Sequence, residues 1–402
     1  MSIVIHGTGC CLLDFLYTSV DFSAPAFRAA LSRQSGDGGL APGKLVFAED
    51  FEYFTRKLYE SALANLTRSA ARPVKRSLGG PSVISLAHAA QMLDGAEVFF
   101  SGVRGDDDTG NAIEALIKKL PFSGYSLAVR DGLSPRTDVL SDPSYHNGKG
   151  ERTFINVIGA AAHFFPDDIP GVFFDADITA FGGTALLPSL HDELAALLKK
   201  AKNRGALTLA NLVYDFRSEL LTPEKWPLGK NDDAYQYLDI LIADKEEALR
   251  TSGKNSVAEA VHFFLERGTG AVIVTEGAEK IVLAAGHGRC RQLPLSEMPV
   301  SQMIDDELAA HPERKGDTTG CGDNFAGGVL CGIAEQMKTA PGALIDLREA
   351  AIPGIAAGGF ACFSAGGLYQ ESALGEKRNA LRPYINAYRN QTGVTGRACY
   401  TD

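Results

Sequence analysis

No stretch of about 18 consecutive apolar residues, the length a membrane-crossing helix requires, occurs in this 402-residue chain. The opening Met1-Ser2-Ile3-Val4-Ile5-His6 is too short an apolar run for a secretory signal, so a cytoplasmic protein with no membrane partner is expected. Clustered Lys and Arg are missing as well. The formal net charge is −10, and like charges never gather into a long block, so the footprint of a nucleic-acid-binding surface is absent. Any charged ligand must be met locally. Paired cysteine spacing is also lacking: Cys10 and Cys11 are adjacent, while Cys290, Cys321, Cys331, Cys362 and Cys399 form no Cys-x-x-Cys. Neither a disulfide frame nor a zinc site is indicated. The histidines are scattered, and His88, at the end of an apolar helical pattern, reads as a core or surface residue. No Gly-x-Gly-x-x-Gly follows a strand, which argues against a dinucleotide oxidoreductase, and no repeat with a period of roughly 20–50 residues is present.

What the chain does have is material for a large core, with 45% hydrophobic residues, and a regular alternation of apolar strands with amphipathic helices. Strands are expected at Ile3–Thr8, Glu97–Ser101, Asp177–Phe181, Ala206–Ala210, Leu238–Ala243 and Ala271–Thr275. Helices are expected at Ser82–Leu93, Gly110–Lys119, Leu190–Arg204, Val257–Arg267, Asn324–Met337, Leu347–Ser364 and Glu376–Arg389. Such alternation predicts an α/β fold, a mainly parallel sheet between helices. Between Ser123 and His163 the pattern changes to extended stretches, Tyr125–Arg130, Arg136–Ser141 and Arg152–Ile158, broken by Asp131-Gly132 and Asn147-Gly148-Lys149-Gly150. With a strand near Leu12–Val20 these predict a small projecting sheet. Its exposed face would offer a surface on which two subunits pair. In the intervening segment, Gly38-Gly39-Leu40-Ala41-Pro42-Gly43-Lys44 has Walker A spacing, but Leu45 replaces the required hydroxyl and no buried strand precedes it.

The stretch Gly316-Asp317-Thr318-Thr319-Gly320-Cys321-Gly322-Asp323-Asn324-Phe325 carries the chemistry. Phe325, Ala326, Val329, Leu330 and Ile333 recur at helical spacing, so Asp323 falls in a first turn and Gly320, Cys321 and Gly322 form the loop before it. Successive N–H groups there, unobstructed by side chains, can converge on an anion and add to the positive end of the helix dipole. Asp323 beside them can accept a hydroxyl proton, the work of a general base in phosphoryl transfer to an alcohol. The plain alternative is a glycine-rich loop followed by a carboxylate that favours the dipole.

This run resembles the C-terminal signature of the PfkB-type, ribokinase-like carbohydrate and nucleoside kinases, Asp-Thr-x-Gly-Ala-Gly-Asp-x-Phe, with Cys321 in place of the alanine. Further stretches support the resemblance. Gly79-Gly80 before an apolar helix resembles the N-terminal Gly-Gly signature, and Asp14 resembles the first-strand Asp that binds acceptor hydroxyls. Gly102-Val103-Arg104-Gly105-Asp106-Asp107-Asp108-Thr109-Gly110 resembles the Gly-x-x-Gly-x-Asp-x-x-Gly stretch, in which the aspartates read as helix caps rather than metal ligands. Asp244-Lys245-Glu246-Glu247 stands where the family has Asn-x-x-Glu, and Thr275-Glu276-Gly277 resembles its Thr-x-Gly turn beside ATP, for which a simple tight turn is the alternative. Ile84 stands where the family usually carries an asparagine.

The resemblance implies a three-layer α/β/α core with a β-sheet lid, approximately residues 11–22 and 123–163, and an adenosine-kinase-like insertion at approximately 23–76 containing a helix from Ala48 to Thr67, all within one kinase unit spanning 1–402. It implies ATP and Mg2+ as cofactors, with Asp244 and Glu247 organising the metal through water, and K+ beside Asp317-Thr318. Asp323 would be the base, and the amides of Gly320, Cys321 and Gly322 the anion hole. Asp14, Gly79 and Gly80 would hold the acceptor, and Thr275, Gly277 and Thr318 the nucleotide. The acceptor would be a small-molecule sugar or, alternatively, a nucleoside. A catalytically silent sugar or nucleotide binder is the reading from another class, motivated by Ile84, Asp244 and Cys321; an intact Asp323 weighs against it, since a binder needs no base.

Overall fold

The structure is a computed structural model and describes residues 2–394, apart from residues 19, 35, 68–72, 149, 317 and 365. Asp317, with the K+ site expected beside it, and Cys399 therefore lie outside the described residues. In chain order the strands are β1 Val4–Gly9, β2 Leu12–Tyr17, β3 Leu45–Phe47, β4 Lys75–Gly79, β5 Glu97–Arg104, β6 Gly124–Val129 and β7 Arg136–Asp142. They continue with β8 Glu151–Val157, β9 Ile178–Gly182, β10 Leu207–Asn211, β11 Ile240–Asp244, β12 Ala271–Thr275, β13 Lys280–Ala285 and β14 Leu293–Pro299.

Nine of these form one sheet in the order β14-β13-β12-β11-β10-β9-β1-β5-β6. From β12 to β6 every neighbour is parallel, and β13 and β14 add an antiparallel margin. Residues on β9 and β10 are buried without interruption, as strands covered on both faces must be. The period-2 alternation divides the core into two layers. Ile5, Leu209, Ile240, Ile242 and Ile273 point to one side and pack with Val83, Leu86, Val329, Ile333, Ile352 and Tyr388. Ala210, Leu241, Val272 and Val274 point to the other and meet Leu194, Leu198, Val261 and Phe264. The expected α/β/α layering is what forms.

A second sheet runs β3-β8-β7-β2-β4. Two expectations need correction here. The stretch Tyr125–Arg130 does not join it: β6 pairs in parallel with β5, Phe99 opposite Gly124, because β5, the helix Asp108–Ile117 and β6 make a crossover unit of the large sheet. Its place in the small sheet is taken by β3, from the segment read as insertion, and by β4, which begins at that segment's end and runs to Gly79. The helix expected from Ala48 to Thr67 is two, Ala48–Thr55 and Tyr59–Thr67, divided at Arg56, whose φ of 54° ends the first. The Walker-like run forms turns around Gly38 and Gly43 rather than a strand–loop–helix.

The small sheet has two unlike faces. One presents Leu13, Phe15, Leu78, Leu140, Ile155 and Val157, and it is covered within the chain by Phe27, Phe51, Tyr59, Leu63 and Leu66 of the insertion helices. Tyr59 donates its hydroxyl to the buried Asp138 of β7, and the Arg136 guanidinium lies over both the Phe15 and Tyr59 rings. The face expected to be open for pairing with another subunit is thus occupied by the chain's own helices. The opposite face looks toward the large sheet.

Helix Cys321–Thr339 is seated by glycines. A Cβ at Gly327 would lie 2.5 Å from the Ser85 carbonyl oxygen, at Gly328 2.5 Å from that of Pro353, and at Gly332 2.6 Å from that of Ala350. These contacts are backbone to backbone, against helices Pro81–Met92 and Leu347–Ala361. Gly328→Val is expected to cost about 1–3 kcal/mol through overpacking, read as a lower urea midpoint with an unchanged slope.

Candidate active site

The parallel strands end along one edge of the large sheet, and the crevice above such an edge is where open α/β sheets bind ligands. At its centre β1 ends at Gly9 and the chain climbs through Cys10 and Cys11 into β2 of the small sheet, Cys10 N–H donating to the Gly182 carbonyl at 2.9 Å. Gly79 and Gly80 permit this crossing. A Cβ at Gly79 would collide with the Asp14 carboxylate, and Gly80, at φ 106°, would carry one 2.5 Å from the Cys10 carbonyl oxygen. Strand register then places Ser77, Asp14, Thr137, Asn156 and Phe47 on one rung of the crevice-facing surface. Asn156 Nδ2 donates to Thr137 Oγ1 at 2.9 Å, and the Phe47 ring meets that of Phe216 on the large domain edge-on at 5.7 Å. Tyr214 lies against Phe216 at 4.5 Å.

Helix Cys321–Thr339 begins above this edge. Gly320 is its N-cap with φ 75°, a left-handed conformation that glycine adopts at little cost, and it sits so close to Gly367 that no side chain fits. The Cys321 N–H makes a long turn bond of 3.3 Å to the Thr318 carbonyl, while those of Gly322 and Asp323 lie in the first turn, where no helical carbonyl precedes them. Asp323 is partly buried, and burial pushes its carboxyl up to about 7. The Cys10 thiol is held well above its usual range, first by its own burial, then by Cys11, Asp323 and Asp14. The loop at Gly366 and Gly367 links the two carboxylates: a Cβ at Gly366 would lie 3.5 Å from Ser77 Oγ, beside Asp14 on its rung, and Gly367 meets Gly320 at the start of the helix that bears Asp323. Cys321 Sγ lies 3.4 Å from Cys362 Sγ, on the side of the helix Leu347–Ala361.

Farther along the edge, Asp244 caps the helix Lys245–Ser252 in a reciprocal box: its Oδ1 accepts from Glu247 N–H at 2.8 Å, and Glu247 Oε2 accepts from Asp244 N–H at 2.8 Å. Burial, then Asp244 and Asp323, push Glu247 up to about 8. No cluster of three or more metal-ligating side chains exists among the described residues. A magnesium ion that keeps its waters needs none. Hard carboxylate oxygens, one of them raised by the charge of the others, fit such an ion, and Glu247 Oε1 has no hydrogen-bond partner among the described residues. Thr275 lies opposite Asp244 in the β11–β12 register, and Gly277, at φ 58°, forms the turn into β13, with Glu276 N–H donating to the Lys280 carbonyl at 2.9 Å. The Asp107 carboxylate caps the helix Asp108–Ile117, accepting from Gly110 N–H at 2.7 Å, as the cap reading of those aspartates requires.

Sequence reasoning missed the rung partners Ser77, Thr137 and Asn156, the aromatic rim, and Arg152. The last reaches from β8 to Thr319 Oγ1 at 3.5 Å, bringing a cation from the small sheet to the loop before helix Cys321–Thr339. Ile84, where the resembling kinases usually have an asparagine, is buried and packs under Gly367.

Comparison with known proteins agrees with this geometry. The pfkB family of carbohydrate kinases matches residues 50–371. A probable fructokinase of Arabidopsis thaliana is 23% identical over 301 residues, covering 70% of this chain and 85% of that protein. Among solved structures, adenosine kinase from Schistosoma mansoni in complex with 2-fluoroadenosine superposes with a TM-score of 0.67 at 16% identity, covering 91% of this chain and 97% of that one. Ribokinase from Thermotoga maritima gives 0.60 at 17% identity, covering 96% and 99%. Likenesses at this level establish the fold. Among the described residues no helix is long and apolar enough to cross a membrane.

The raised Asp323 has a consequence for stability. Unfolded, it ionises near the ordinary carboxylate value of 3.8, and folded, at about 7, so folding takes up a proton between these values and ionisation opposes the fold above them. Asp323→Asn is therefore expected to melt higher than the parent at pH 8, the difference shrinking toward pH 4, in thermal melts across that range.

Proposed function

Because the chain belongs to the pfkB family of carbohydrate kinases, we propose that it transfers the γ-phosphoryl group of ATP to an alcohol of a sugar, with Asp323 as the base. The observation that carries this reading is the loop at Gly366 and Gly367, which lies beside Ser77, the partner of Asp14 on its rung, and against Gly320, at the start of the helix that bears Asp323, so that the two carboxylates flank one loop. In this reading Asp14 and the polar rung of Ser77, Thr137 and Asn156 orient the acceptor hydroxyls, and charged or amide acceptors suit a vicinal diol. Gly79 and Gly80 allow the sugar to approach the backbone. Asp323 takes the proton of the attacking hydroxyl, while the N–H groups following Gly320 stabilise the charge on the transferring phosphoryl. Arg152 adds a cation from the lid side, and closure of the small sheet excludes the water that would otherwise be phosphorylated. Thr275, Gly277 and Thr318 lie on the nucleotide side. Bound magnesium, held through water by Asp244 and Glu247, would neutralise phosphate charge.

A second reading, a nucleoside as acceptor, is favoured by one feature. The rung that carries Asp14 ends at Phe47, whose ring joins those of Phe216 and Tyr214. Flat aromatic faces at the far end of a polar rung suit a heterocyclic base attached to the sugar.

ADP release measured over ribose, fructose, ketodeoxygluconate, adenosine, inosine and guanosine tests both. Turnover with a free sugar supports the first reading, turnover confined to nucleosides the second, and ligand-induced melting shifts without any turnover would replace both with a silent binder. In the active pair, Asp323→Asn is expected to lower kcat by roughly a hundred- to ten-thousand-fold while sparing ATP binding, and the parent's kcat/KM should fall as pH drops below about 7 because the base becomes protonated. Cys321→Ala should keep activity, since the backbone amide rather than the thiol serves the hole.

A further inference from the structure

Lys377 is a buried cation that the mechanism above leaves unused. It lies in the first turn of the helix Glu376–Thr392, and it is only 2% exposed. Burial pulls its ammonium down to about 7, and a positive charge at a helix N-terminus gains nothing from the dipole. A methionine would fill similar space without these costs. What the lysine adds is donors. Its Nζ donates to Gln91 Oε1 at 3.1 Å and to Asn324 Oδ1 at 3.0 Å, linking its own helix to Pro81–Met92 and to Cys321–Thr339.

Asn324, also 2% exposed, follows Asp323 directly. Its oxygen faces Lys377 Nζ and His88 Nδ1, the latter at 3.1 Å; its Nδ2 donates to the Gly320 carbonyl at 2.9 Å and to the Gly367 carbonyl at 2.7 Å. All four hydrogen-bonding capacities of the amide are spent. Its orientation follows from the ammonium. Turned over, it would set an NH2 group against –NH3+ and its oxygen against two carbonyl oxygens. His88, held neutral by burial and then by Lys377, cannot supply the charge itself. Gln91 Nε2 donates onward to the Tyr369 carbonyl at 2.8 Å, so the same lysine orients a second amide on the same C-terminal loop.

We propose that Lys377 is a positioning residue for phosphoryl transfer: its ammonium orients Asn324, whose amide ties the anion-binding turn at Gly320 to the loop at Gly367. It touches neither substrate nor reacting atoms. The kinetic part rests on the phosphotransferase reading, whereas the effect on the loop does not.

Lys377→Met keeps the length of the side chain and removes its donors. It is expected to melt no lower than the parent, to leave both KM values nearly unchanged, and to lower kcat roughly a hundred-fold, the scale set by a misplacement of about 1 Å. Hydrogen exchange of the amides at 320–323, followed by mass spectrometry, should accelerate. Asn324→Asp is the companion variant: it keeps the volume and gains an ion pair with Lys377, but has no donors for Gly320 and Gly367. A merely structural role predicts that the loss in Asn324→Asp is confined to stability, with parental kcat in the folded fraction; the proposal predicts a low kcat in that fraction. Parental kcat and parental exchange in Lys377→Met would overturn it, as would full activity of Asn324→Asp should Lys377→Met fail to fold. A parent inactive on every acceptor would instead sink the phosphotransferase reading, and the exchange rates alone would then decide the role of Lys377.

Discussion

The backbone of helix Cys321–Thr339 touches the backbones of two neighbours, and Gly327, Gly328 and Gly332 make that approach possible. A helix held by interdigitated side chains can shift by a fraction of an ångström when any of them changes rotamer. One held by carbonyl oxygens against α-carbons has far less freedom. The position of Asp323 and of the amides beside it is therefore set by packing about one turn and more farther along the same helix. At the other end of the seat, Gly320 and Gly367 meet with no room for a side chain, so the loop before the helix is located as firmly as the helix itself.

The electrostatics of the crevice follow from crowding carboxylates into a space with few cations. Asp244 and Asp323 add to burial in raising Glu247, while burial alone raises Asp244 and Asp323 themselves. Such an arrangement is unfavourable in the free protein. The helix N-terminus that carries Asp323 lies among them, and Arg152 reaches Thr319 just before it. Positive and negative groups thus meet at the start of one helix.

Much of this was legible in the residues because it was local. The Gly-rich turn before an apolar-periodic helix, the alternation of buried strands and helices, and the Gly79-Gly80 pair at a helix start are short-range patterns. The small sheet was not local. Tyr125–Val129 and Arg136–Asp142 look alike as sequence, yet the first extends the large sheet and the second the small one; only pairing with β5 or β2 separates them. The spacing from β5 through one helix to β6 was the available clue. Lys377 was hidden for a different reason. It stands in Gly375-Glu376-Lys377-Arg378-Asn379, a run that reads as solvated surface, and only the packing of three helices turns it inward. The rung from Ser77 to Phe47 joins residues from five strands, an adjacency that no linear pattern records.

The helices Ala48–Thr55 and Tyr59–Thr67 give the small sheet a dry back. Without them Leu13, Phe15, Leu78 and Ile155 would meet water on one side, and such a bare sheet would have to borrow its covering from a neighbouring molecule. With them the small sheet is self-sufficient: a plate with its own upholstery, joined to the large sheet through the crossing at Cys10 and Cys11.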